Sequence, residues 1–306
     1  LWGFFVQLGT LLAYSVVVAQ LGFLRWRFRF DILRAMMNFS LFTFLESLAI
    51  SLFQQFDRII VGVTLGPVAV GAYSIGTSIG LRLSIITGQA TEVMLPYASR
   101  QGASENYAGL YHNFRALSRI TSLMLGLVTS LLILFMTEIL ALWISPFYAQ
   151  SYANTFRIIV VGYAWLSLSR PGHQTLTGIG QVRFTALIYL GTTAMMLFGL
   201  FIGAQRFGLM GAAVANLTML FLLAFNILTY VKLSGSCAPS DLFTDLACGF
   251  IVPILVFGLV VFVPFPFFSK ILLALIFAGA VGISLWFDPF VKEHFLDNLL
   301  ARFAKE

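Results

Sequence analysis

The sequence predicts an all-α polytopic membrane protein, and three observations carry that reading. Of 306 residues, 59% are hydrophobic and only 10% are charged, against roughly 25% charged in an average soluble domain. The apolar residues gather into about nine stretches near the roughly 20 residues that a membrane helix needs. The basic residues between these stretches are denser on one side than on the other, as the positive-inside rule requires. With a mean hydropathy of +0.94, a soluble core of this size could not hide the apolar surface, so an ordinary cytosolic enzyme is excluded. Disordered, collagenous and disulfide-rich classes are excluded on composition too. The net charge of +6 and pI near 9.5 fit the charge bias of a membrane protein rather than nucleic-acid binding.

In order, the spans cover approximately residues 1–23, 36–56, 68–97, 119–143, 155–178, 184–204, 209–233, 242–264 and 267–287. The first begins at Leu1, with no basic segment before it and too long an apolar run for a signal-peptide core. The chain therefore reads as the C-terminal part of a longer protein. A basic link from Arg25 to Arg34 follows the first span, and a polar link from Ser99 to Ser118 follows the third. The fifth span carries Ser169-Arg170-Pro171-Gly172-His173-Gln174. Pro171 removes a backbone hydrogen bond and Gly172 loosens the same turn, so this helix should kink there. After Phe287, the residues Phe290, Val291, Phe295, Leu299 and Phe303 recur among charges, which suits an amphipathic tail on the membrane surface.

If the first link is cytoplasmic, alternation fixes every other loop. Twelve Lys and Arg then share the cytoplasmic side, against 4 outside: Arg58, Arg157, Arg206 and Lys270. This asymmetry supports the span count and puts the C-terminus in the cytoplasm and Leu1 outside.

Only a few charges remain inside the spans. At mid-bilayer each costs at least about 2.5–3.5 kcal/mol, so such residues usually face a bundle interior or a wet cavity. Arg82 lies near the middle of the third span. At about 100° per residue, Ser74, Ser78, Gln89 and Glu92 fall on its side of the helix. A packing pair of Arg82 with Glu92 would need to bridge about 15 Å of rise. A water-filled cavity presenting a cation to an anionic substrate is the preferred reading. In the second span, Glu46 and Asp57 align on one side, widened by Thr43, Ser47, Gln54 and Arg58. For Asp57 and Arg58 the plainer expectation is a local ion pair at a helix end; Glu46 lies deeper, where cavity solvation or proton coupling are both open. Arg170 and His173 either line a substrate path at a broken helix or mark an early helix end.

Other signals are weak. Cys237 and Cys248 have no further Cys and no His beside them, so neither a zinc site nor a disulfide framework is expected. Gly62/Gly66, Gly76/Gly80 and Gly199/Gly203 have small-xxx-small spacing, which permits close helix approach. The acceptor-like triplets at Asn38 and Asn216 lie inside spans. There is no phosphate-cradling loop before a Lys-Ser/Thr pair and no nucleophile–base motif. The chain is read as a non-enzyme without cofactor or metal.

The run Phe56-Asp57-Arg58-Ile59-Ile60-Val61-Gly62, then Leu65-Gly66, then Val70-Gly71-Ala72-Tyr73-Ser74-Ile75 resembles bacterial polysaccharide (O-antigen type) flippases of the multidrug/oligosaccharidyl-lipid/polysaccharide exporter superfamily. Leu95-Pro96-Tyr97-Ala98-Ser99-Arg100 is similar to the family's Pro and Ser at a cytoplasmic helix end. Gly208-Leu209-Met210-Gly211-Ala212-Ala213 is similar to its late Gly-x-x-Gly-Ala-Ala helix start. The resemblance runs over roughly residues 36–233.

That resemblance implies two six-helix lobes working by alternating access. Residues 1–35 would hold the last helix of the first lobe and its basic link, and 36–233 the second six-helix bundle. Residues 234–287 would be two additional helices, and 288–306 a cytoplasmic amphipathic tail. The implied activity is flipping of an undecaprenyl-pyrophosphate-linked oligosaccharide across the bacterial cytoplasmic membrane. The implied partners are that lipid-linked oligosaccharide, membrane lipids, and a polysaccharide polymerase and glycosyltransferases, with no nucleic acid. Flippases of this group use cationic residues in the central cavity, and Arg82 lies on the helix equated with one that supplies such a residue. An Arg presents a permanent charge and several donors to phosphate oxygens. The cavity candidates are therefore Arg82, Ser78, Gln89, Glu92, Glu46, Asp57 and Arg170. The alternative is a proton- or sodium-coupled multidrug/cation antiporter of the same superfamily, which would need an acidic cavity. A membrane glycosyltransferase would need a larger extramembrane loop than the dozen or so residues from Ser145 to Phe156.

Overall fold

The computed structural model describes residues 9, 10, 14, 30–234, 239–263 and 265–287. The expected first span (apart from residues 9, 10 and 14), residues 25–29 of the basic link, Cys237 and the tail lie outside these residues. Among the described residues the elements are helices joined by short turns, with no strand. Six of those helices are long and apolar enough to cross a membrane, so the protein is an all-α polytopic membrane protein. The chain divides into two units, residues 1–41 and 42–306. In the first, the described residues are helical.

The helices are α1 (Phe30–Leu65), α2 (Pro67–Thr91), α3 (Met94–Ala103), α4 (Tyr107–Trp143), α5 (Pro146–Leu168), α6 (Arg170–Gly178) and α7 (Val182–Ala215). A 3₁₀ segment (Asn216–Leu223) follows, then α8 (Ala224–Ser234), α9 (Pro239–Phe262) and α10 (Phe267–Phe287). Local chemistry sets the boundaries. Ser145 caps α5 by accepting from the Tyr148 N–H at 3.2 Å, with Pro146 in the first turn, where a missing N–H costs nothing. Asn106 does the same for α4 through the Gly109 N–H at 3.2 Å.

The polar link expected from Ser99 to Ser118 is a correction. Helices α3 and α4 run through it, leaving only residues 104–106 as a turn. Hydropathy marks where a helix is apolar, not where its hydrogen bonding stops. The 37 residues of α4 rise about 55 Å, well beyond a hydrocarbon core of about 30 Å.

Helix α5 is the centre of the second unit: every residue from Thr155 to Ser169 is buried. It packs against α2, α4, α7, α9 and the 3₁₀ segment. Arg157, expected on the outer side, falls within this buried stretch. Arg157 is on α5 and 5% exposed. Its guanidinium donates to Ile133 O at 2.9 Å, Asn154 Oδ1 at 2.6 Å and Thr137 Oγ1 at 2.9 Å. Three acceptors at three edges of the fork offset the burial of its charge.

The sixth and seventh expected spans form one continuous stretch, 182–234, of 53 residues. As one rod it would rise about 80 Å. Instead it doubles back at Gly208, whose φ of 62° and ψ of −145° are non-helical and belong to glycine. The two arms touch backbone to backbone at Gly203 and Gly211.

Helices α9 and α10 both pack on α4, with polar contacts at two ends. At one end Asp245, 1% exposed, accepts from Arg115 Nε at 2.7 Å, Arg119 Nε at 3.2 Å and Tyr230 OH at 2.7 Å. At the other, Lys270 Nζ meets Glu138 Oε1 at 2.6 Å. Between them, a Cβ on Gly126 would lie 2.7 Å from Cys248 O, so close backbone packing continues the contact through the apolar middle. In lipid, helix association depends on such packing and polar contacts, not on the hydrophobic effect.

Candidate functional site

The seven residues singled out in the sequence fall into two settings. Ser78, Arg82, Gln89 and Glu92 share an exposed strip along α2 and the turn after it. Ser78 Oγ returns to Ser74 O at 2.6 Å, satisfying its own hydroxyl within the helix. Among the described residues Arg82 makes no hydrogen bond or ion pair, and Glu92 does not reach it. The opposite side of α2 is buried through Tyr73, Gly76, Gly80, Leu83 and Thr87. Gly76 and Gly80 let it settle on α5: a Cβ on Gly80 would stand 2.5 Å from the Tyr163 ring. The packing on α5 thus fixes which side of α2 is left open, and the open side holds Arg82.

Glu46, Asp57 and Arg170 are inside the second unit. On α1 a buried stripe runs through Glu46, Ala49, Phe53, Asp57 and Val61, the 3–4 residue recurrence of one helix side. Thr43, Ser47, Gln54 and Arg58 stay exposed. Asp57 accepts the Arg58 backbone N–H at 2.6 Å, and no Asp57–Arg58 side-chain ion pair forms. Nor is this a helix end, because α1 continues to Leu65.

Glu46 organises a polar cluster from three helices. Its Oε1 lies 2.6 Å from His173 Nε2 on α6, and its Oε2 accepts from Thr185 Oγ1 on α7 at 2.7 Å. Arg170, one turn before His173, donates from Nη2 to Ser84 Oγ on α2 at 3.0 Å. Beside Arg170, a cavity of about 30 Å³ is lined by Gln54, Tyr189, Thr192 and Thr193, room for about one water. Buried Arg170 Nε and His173 Nδ1 have no protein partner.

Where a kink was expected at Pro171, the helix is interrupted at Ser169, between α5 and α6. Asn226 of α8 spans it. Its Nδ2 donates to Leu168 O at 2.9 Å, and its Oδ1 accepts from the Gly172 N–H at 3.0 Å. Thr229 Oγ1 reaches Gly172 O at 3.2 Å. These side chains satisfy backbone groups that the break would otherwise leave buried and unpaired. A Cβ on Gly172 would stand 2.4 Å from Asn226 Oδ1, so the clip requires glycine there. Sequence reasoning singled out neither Thr185 nor Asn226, and left His173 as a weak signal. A complementary Glu and His in apolar spans was the usable clue to that pair.

No curated protein and no solved structure matches the chain. The motifs over 56–75 and the whole of α2 with Arg82 fall inside residues 1–125, and it is these residues that match the family model Polysacc_synt_3, polysaccharide biosynthesis protein, in keeping with the flippase-type family that the sequence resembles.

Proposed function

We propose that this protein takes part in polysaccharide biosynthesis by translocating an undecaprenyl-pyrophosphate-linked oligosaccharide across the cytoplasmic membrane, by alternating access. The observation that carries this reading is the exposed, unpaired Arg82 halfway along a membrane-length helix, within the family-matched residues. A guanidinium facing acyl chains there would cost at least about 2.5–3.5 kcal/mol; facing a wet cavity it meets a passing pyrophosphate with several donors. Ser78 and Gln89 extend the same strip with groups suited to sugar hydroxyls. The cation-antiporter alternative fits less well, since Glu46 and Asp57 are buried and Glu92 is the only one of the three acids left on the open strip.

The test is Arg82→Ala in cells that depend on this protein. Surface polysaccharide is expected to fall about 30-fold or more, the loss of one charge-assisted phosphate contact of about 2–3 kcal/mol, at unchanged protein level. Arg82→Lys keeps the charge but not the planar fork and should retain part of the activity. Full polysaccharide in Arg82→Ala would overturn the role given to this residue.

A further inference from the structure

We propose that Glu46 and His173 form a proton-binding site whose occupancy controls how tightly α6 docks against α1 and α7. The switch operates whatever substrate the protein serves.

Helix α6 is built to depend on its contacts. It has 9 residues, below the length at which a helix sustains itself. A break at Ser169 precedes it, and a turn through Gly180, at φ +80°, follows it. It packs closely on α3 at Gly178 and on α8 at Gly172, and its polar contacts are few: His173 to Glu46, Arg170 to Ser84, the Asn226 clip, and Ser99 Oγ to Gly178 O at 3.1 Å. Of these contacts, the His173–Glu46 pair is the one that contains an imidazole, the side chain whose ordinary charge change falls between pH 5 and 8, facing a carboxylate. It is also the shortest, and 2.6 Å falls at the short limit for a charge-assisted bond.

The groups around the imidazole set the switch. Glu46, from α1, favours its charged form. Arg170, on α6 one turn earlier, carries the same sign and opposes it. From α7, Tyr189 presents its ring edge-on at 5.3 Å, and Phe225 of α8 adds an uncharged ring at 5.2 Å. His173 is 8% exposed and its Nδ1 has no partner. Neutral, the ring keeps its proton on Nε2, facing Glu46, and buries only a lone pair at Nδ1. Taking up a proton at Nδ1 makes the Nε2 bond to Glu46 charge-assisted on both sides, roughly doubling its strength, but buries an unsatisfied N–H. The two effects oppose one another: the stronger bond favours the bound proton, and the unsatisfied N–H disfavours it. With the proton bound, the ion pair holds α6 down; as pH rises the proton leaves Nδ1 for solvent and docking relaxes.

Hydrogen–deuterium exchange on the purified full chain in detergent tests this, at about pH 5.5 to 8.5, the range where His titrates, with rates corrected for intrinsic pH dependence. Protection of residues 170–178 should fall about tenfold across that range, the difference between a charged and a neutral hydrogen bond, while the buried part of α4 stays constant. His173→Gln keeps a hydrogen bond without the titration and should be flat; Glu46→Gln removes the anion that strengthens the bond to the charged ring, so the fall in protection should shrink. If Glu46→Gln does not fold, Thr185→Val decides: losing one donor to the carboxylate makes the pair hold its proton more strongly, so the midpoint should move to higher pH. A flat wild-type profile, wild-type pH dependence in His173→Gln, or an unmoved midpoint in Thr185→Val would each overturn the proposal.

Discussion

Replacing Gly211 with Val should cost the protein its fold. A Cβ at this position would lie 2.0 Å from Gly203 O and 2.5 Å from Gly203 C, both backbone atoms that cannot rotate away. The approach is mutual, since a Cβ on Gly203 would meet Gly211 O at 2.6 Å. The two arms meet just beside the reversal at Gly208, so they cannot separate there without opening the hairpin. Ala204, Ala212 and Ala213, all 1% exposed or less, would lose their neighbours. The penalty belongs with the largest single-residue effects, upwards of about 4 kcal/mol. Membrane-inserted protein should be nearly absent, and even Gly211→Ala should be severely impaired. Gly199→Ala is the control: its nearest neighbour would be Ala215 Cβ at 3.8 Å, an ordinary contact, and Ala is the better helix former. Wild-type thermal stability in Gly211→Val would show that the arms are not packed this way.

The second large effect is expected at Asp245. It is the shared acceptor for Arg115, Arg119 and Tyr230, and Arg115 also reaches Asp241 at 3.4 Å. In Asp245→Ala the Tyr230 hydroxyl, fully buried, loses its acceptor, Arg119 loses this carboxylate, and Arg115 keeps the longer contact to Asp241. Removing one partner of a buried ion pair costs about 3–5 kcal/mol. Both Arg side chains are about a third exposed here, so solvent screening brings the expectation down to about 2–3 kcal/mol. Asp245→Asn keeps an acceptor oxygen without the charge and should lie between. Arg115→Ala should cost less, because Arg119 and Tyr230 still engage the carboxylate. Thermal unfolding in detergent, together with protease access to α9, measures the series. Equal melting of Asp245→Ala and wild type would remove this cluster from any part in anchoring α9.

What the sequence made legible follows from how each feature is encoded. Spans were readable where lipid-length apolar runs coincide with single helices, as in α1, α9 and α10. The break before α6 was readable because Pro171 and Gly172 state it locally. Helix α3 and the first turns of α4 were not, because a helix projecting past the bilayer has no apolar signature. The burial of Arg157 was not legible either, because its acceptors Ile133 and Thr137 lie on α4, and no pattern within α5 reports them. At the candidate site, one helix was enough to predict that Ser78, Arg82, Gln89 and Glu92 share a side. The partners of Glu46 lie 127 and 139 residues away, and no periodicity within one helix reports such a pairing. The glycines 203 and 211 were visible as small residues, but their purpose appears only once the reversal at Gly208 brings them face to face.

We propose that the open side of α2, with Arg82 at its middle, serves the passage of an anionic lipid-linked substrate through the membrane. Sidedness of that substrate tests it most directly. In spheroplasts depleted of the protein, a membrane-impermeant sugar-oxidising reagent added outside should find no lipid-linked oligosaccharide, although lysed cells contain it in excess. Wild-type protein should restore outside labelling and Arg82→Ala should not. Equal outside labelling with and without the protein would contradict the account.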